Sequence, residues 1–163
     1  MKYIILFFLS FSGLSPNTTF AQNDSTVTLP TVTITSIKKV DERVSKAFKY
    51  SFPKATNSRW YRMNKDYMVK FIKEDMKHQT LFQKNGYIKY DISYGMAHDL
   101  TEEMGELILS VYKGYAITNV TKVSRYNQEF WIINLEGLSD FVVIRVENGD
   151  LEEVSHFEKW ENY

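Results

Sequence analysis

Two short stretches decide the fold: residues 83–91, QKNGYIKYD, and residues 145–154, RVENGDLEEV. Each sets Asn-Gly between strand-like runs. Both residues tolerate positive φ, which suits the tight hairpin turns whose twist matches a pair of antiparallel strands. Upstream of Asn85-Gly86, residues 59–63, 67–73 and 80–83 have sheet character, and 87–92 follows the turn. Asn64-Lys65-Asp66 separates the first two runs. The second half has the same order, with runs at 120–125, 130–135, 141–146 and 151–154. YMVKF at 67–71 and WIINL at 131–135 then occupy equivalent places.

Ahead of each set the apolar period changes from two to that of a helix. Val40, Val44, Ala47 and Phe48 form one stripe, which should stop near Phe52-Pro53 because proline lacks an amide proton. Met104, Leu107, Ile108, Val111 and Tyr112 form the second, ended by Gly114. Asp99-Leu100-Thr101-Glu102 in front of it has the spacing of a capping box, with Asp99 at the cap. The chain therefore reads as an α+β fold: two tandem helix-plus-antiparallel-strand units, about 38–94 and 98–158, forming one sheet with helices on one face.

The remainder of the 163 residues sets bounds on function. Twenty basic and 20 acidic side chains balance, which argues against nucleic acid as a partner. The absence of Cys removes disulfides, thiolate metal sites and a thiol nucleophile. At the N-terminus, Lys2 followed by the apolar run 4–9, and small Thr19 and Ala21 before Gln22, read as a secretory signal over 1–21. The apolar run is far too short to span a bilayer, which takes about 20 residues. The location expected is periplasmic or secreted. Residues 22–37 are Thr-rich and alternate, with Pro30 interrupting, so they read as a linker or an edge strand.

With these elements in place the chain resembles the PepSY-like, β-lactamase-inhibitor-protein-like (BLIP-like) family of secreted Bacteroidetes proteins. The matching residues are Val44 and Phe48, the Phe52-Pro53-Lys54-Ala55 helix exit, Trp60, and the strand with Tyr67, Val69 and Phe71. The two Asn-Gly hairpins, the second helix and Val120, Lys122 and Val123 also fit, so the resemblance covers about residues 38–157 of 163. One departure is Ala97-His98-Asp99-Leu100, which lacks the proline that often introduces the second helix. The resemblance implies no catalytic residues. It implies protein binding through an open sheet face, since the inhibitor lays that face over an enzyme and PepSY domains are associated with restraining peptidases.

Residue chemistry agrees with a non-catalytic reading. His78, His98 and His156 have no metal-ligand spacing, and the acidic pairs 74–75, 102–103 and 152–153 are consecutive, so their carboxylates diverge. The chain has no G-x-S-x-G, its glycines are dispersed, and no cofactor or metal is expected. Alternation turns Tyr67, Val69 and Phe71, and Trp131, Ile133 and Leu135, toward the helices, with Trp60 as a core anchor. Tyr61, Met68, Lys70 and Ile72, with Phe130, Ile132 and Asn134, then share the opposite face. That set is too apolar for a freely solvated surface. These seven are the candidate binding residues, for an unidentified exported or envelope protein or a twin subunit. The alternative is a small-ligand or envelope-sensing module.

Overall fold

The computed structural model describes residues 32–160. The proposed signal segment and most of the Thr-rich stretch lie outside the described residues. Among those described, nine strands form one antiparallel sheet in chain order. They are β1 (Ile34–Ser36), β2 (Thr56–Met63), β3 (Asp66–Lys73), β4 (Met76–Phe82), β5 (Ile88–Gly95), β6 (Ala116–Arg125), β7 (Gln128–Glu136), β8 (Asp140–Glu147) and β9 (Asp150–Glu158). Helix α1 (Glu42–Ser51) lies between β1 and β2, and α2 (Glu102–Val111) between β5 and β6.

This corrects the expectation of an α+β fold in two tandem helix-plus-strand units. Strands make up 54% and helices only 18% of the described residues, and the ladder runs unbroken through β5 and β6. Two apolar stripes at helical spacing suggest two units of equal weight, yet each helix is only ten residues long and the strands between them form one continuous sheet. Helix α1 starts at Asp41, whose side chain accepts the Arg43 amide proton, and not at Lys38. Helix α2 is capped by Thr101, which accepts the Met104 amide. Asp99 instead accepts the Met96 amide at 2.8 Å and closes a short 3-10 turn. Strands, in turn, were underread. Glu74-Asp75 and Tyr126-Asn127 are tight turns with both residues at positive φ, so β3–β4 and β6–β7 zip to their ends. Gly149 (φ +87°) and Asn148 make the turn between β8 and β9 that the sequence announces.

The core divides into two apolar clusters. Val44 and Phe48 of α1 pack with Tyr67, Val69, Phe71 and Phe82, with Trp60 against them. Ile108 of α2 packs with Val120, Ile133, Leu135, Val142, Ile144 and Val146, flanked by Trp131. The register Phe71–His78–Ser93–Lys122–Trp131 carries one face of the sheet across both. Between the clusters that face is polar. The hydroxyl of the fully buried Thr80 donates to one oxygen of the Asp91 carboxylate, and His78 Nδ1 donates to the other at 3.0 Å. His78 also stacks on Phe71 at 4.9 Å. The two outer strands are β1, three exposed residues paired to β2, and β9.

Candidate functional site

The face turned away from the helices is organised by register. One row reads Tyr61–Met68–Leu81–Tyr90 and the next Arg59–Lys70–Gln79–Ile92–Val123–Phe130. A third reads Ile72–Lys77–Tyr94–Thr121–Ile132–Arg145. Asn134 pairs with Asn119 and Val143 one step further along β7. The seven candidate residues thus fall on one face, because side chains alternate strictly along each strand and the ladders are in register.

Their surroundings differ. Like its row neighbour Leu81, which is 6% exposed, Met68 is on this face but only 4% exposed. It is packing, and a charge placed there would be buried. Ile72, Tyr61, Phe130 and Ile132 are half-buried, while Lys70 and Asn134 are exposed. Lys70 Nζ sits 5.8 Å from the Tyr61 ring centre, and the Arg145 guanidinium lies 4.7 Å from the Phe130 ring. Both are cation–π distances that hold the cation over an aromatic face.

Tyr61, Lys70 and Ile72 border a concavity of about 890 Å³, together with Arg59, Lys77 and Tyr94. The last three were missed in the sequence for a simple reason. Strand β4 was started at Thr80 and β5 stopped at Ile92, so Lys77 and Tyr94 fell outside any strand. Arg59 has the same parity as Tyr61, two residues on, and could have been found by continuing that alternation. A register shift between Thr56 and Arg59, with Asn57 at φ 53°, bulges β2 at the rim; bulges re-aim the side chains beside them.

A second group joins residues that are far apart in sequence. The Tyr115 hydroxyl donates to Asp140 Oδ2 at 2.6 Å, and His156 Nε2 lies 2.7 Å from the same oxygen. His156 Nδ1 is 3.5 Å from Glu153, which also accepts from the Tyr112 hydroxyl. Hydrogen bonds from Tyr115 and then His156 hold the Asp140 carboxyl below the usual range, against some desolvation. The Asp140 hydrogen bond raises His156 above the ordinary imidazole value, and the same carboxylate raises Tyr115. The stabilisation from His156 is therefore complete below the unfolded imidazole value, about 6.5, and fades as pH climbs through the raised one. That from Asp140 is complete above about 3.9 and fades as pH falls through the lowered value. The anchor of β9 is strongest between those limits. An NMR titration should place the His156 midpoint above that of a free imidazole, and Asp140→Asn should bring it down. An unshifted midpoint, indifferent to Asp140→Asn, would sink this account.

The fold and the two-faced sheet define the class: a small strand-meander protein with helices packed on one side. It is similar to solved proteins from Bacteroides. A BLIP-like protein from Bacteroides fragilis matches with TM-score 0.59 at 14% identity, over 78% of this chain and 93% of that one. A DUF2874 family protein from Bacteroides ovatus matches with TM-score 0.55 at 17% identity, over 72% and 90%. A chain from Bacteroides eggerthii, provisionally named as periplasmic, matches with TM-score 0.54 at 15% identity, over 74% and 90%. The BLIP-like resemblance read from the sequence agrees with these neighbours, and at such identities the likeness is one of fold. No protein-family model and no curated protein sequence matches the chain. Among the described residues no helix is long and apolar enough to cross a membrane.

Proposed function

We propose that the protein is an exported, non-catalytic binding module that holds a partner protein against the open face of its sheet. The observation that carries this is Ile72, Tyr94 and Ile132, which alternate with Lys77 and Thr121 in one row and stay partly exposed on a face that no helix covers among the described residues. A monomer with no use for that face gains nothing from leaving such residues in water. The 1–21 signal segment and a periplasmic or secreted location belong to the same reading, as does the BLIP-like fold of the neighbour from Bacteroides fragilis. A small-ligand or envelope-sensing role is the second reading, favoured by the volume of the concavity.

The test is affinity capture from the envelope and secreted fractions with the purified protein and with its Ile72→Asp/Ile132→Asp variant. Both positions are half-buried, so the variant should keep its circular dichroism spectrum and lose the partner. A partner retained at full yield by the folded variant would overturn the sheet-face reading. A self-association that the variant abolishes would reassign the face to a twin subunit.

A further inference from the structure

The charges of the chain balance overall, yet those around the concavity on its open face do not. Arg59, Lys70 and Lys77 all line the concavity, and among the described residues no carboxylate does. None of the three has an ion-pair partner among the described residues, and all three are exposed. Arg59 and Lys70 are moreover directly opposed across β2 and β3. Like charges in that position destabilise a sheet, and here the bulge at Asn57 adjoins the pairing. The cations alternate with apolar and aromatic surface: Tyr61 under the Lys70 ammonium, Ile72 beside Lys77, and the exposed Tyr94. A site of this kind suits a ligand that brings several negative charges and an apolar group together.

We propose that the concavity receives an acidic segment of the partner protein, with Asp or Glu side chains meeting Arg59, Lys70 and Lys77 and an apolar side chain resting on Tyr61 and Tyr94. This rests on the protein-binding reading and names the chemistry of the partner. Charge-assisted hydrogen bonds from Arg and Lys to carboxylates supply the attraction. An anion between Arg59 and Lys70 also offsets the like-charge contact across β2 and β3, which solvent otherwise screens.

The probe is a fluorescein-labelled heptapeptide, Gly-Glu-Glu-Phe-Glu-Glu-Gly, compared by fluorescence anisotropy with versions carrying Gln or Lys in place of Glu. The Glu peptide should bind the purified protein at least about tenfold more tightly than the Gln peptide, and raised salt should weaken it. The Lys peptide should not bind. Arg59→Gln and Lys70→Gln should each weaken the Glu peptide about tenfold without lowering the thermal midpoint. Lys113→Gln, beyond α2, should change nothing. Equal binding of Glu and Gln peptides, or indifference to both substitutions, overturns the proposal. So does competition by free glutamate at the same total carboxylate concentration, which would make this a small-anion site. The two readings fail separately. A captured partner lost on Ile72→Asp/Ile132→Asp but unaffected by Arg59→Gln/Lys70→Gln sinks the acidic segment and leaves partner binding. Charge-dependent peptide binding without a sheet-face partner does the reverse.

Discussion

Phe48→Ala is expected to lower the free energy of unfolding by about 3–5 kcal/mol, the range for truncating a buried Phe. The ring is only 8% exposed and is the hub of the first cluster. It meets Trp60 and Phe71 edge-on at 5.2 and 5.1 Å, Phe82 at 6.4 Å, and Phe52 at 5.8 Å where the chain leaves the helix. Edge-to-face pairs contribute beyond the area they bury, so the loss exceeds that of an aliphatic residue of similar volume. A domain of this size has only about 5–15 kcal/mol in hand. Urea unfolding should therefore show a midpoint moved far toward zero, or no folded baseline. A loss under about 1 kcal/mol would mean that α1 is not pinned through this ring.

The second large effect is expected at Asp91. Its two oxygens accept the Thr80 hydroxyl and the His78 ring proton beneath the helix-side face. Asp91→Ala orphans both donors, and each buried polar group left unpaired costs about 1–3 kcal/mol. Thr80→Val removes one of those donors, so Thr80→Val/Asp91→Ala should cost less than the sum of the single changes. Urea unfolding of the three variants measures the difference. Strict additivity would mean that the hydroxyl and the carboxylate do not act together, whatever their spacing.

The contrast between these two sites shows what was legible in the sequence. Val44, Phe48, Trp60 and the alternating sets around Val69 and Ile133 could be assigned because apolar side chains advertise their own period. Their packing depends on that period alone. The Asn148-Gly149 turn was equally plain, since positive φ has few side-chain solutions. Glu74-Asp75 was not: two acids suit solvent as well as a turn, and only the register of β3 on β4 distinguishes the two. His78, Thr80 and Asp91 lie on neighbouring strands, so nothing in their spacing announces a shared hydrogen-bond network. The same holds for Tyr115, Asp140 and His156. For the candidate face, strand parity was enough to group Tyr61, Lys70, Ile72, Phe130, Ile132 and Asn134 on one side of the sheet. Parity alone does not show that Met68 is buried there, together with its row neighbour Leu81. The error in fold class had a similar origin. Two clear apolar stripes gave the helices equal weight with the strands, while strand ends rich in polar residues looked like loops.

Strands that pair in the order they are made carry a consequence for how the chain folds. Of the eight ladders, only β1–β2 and β5–β6 must close around a helix; the other six are hairpins joined by a few residues. Closing a short loop loses little chain entropy, and isolated hairpins form in about 1–10 μs. The β2–β5 and β6–β9 segments can therefore each zip from their own turns before the ladder between β5 and β6 forms. That ladder also brings together the polar seam of His78, Thr80 and Asp91 with Lys122 and Ser124 of β6. Joining the halves should then be the slow step. Substitutions on β5 and β6 that leave both hairpin sets intact should slow folding far more than equally destabilising changes at either edge of the sheet.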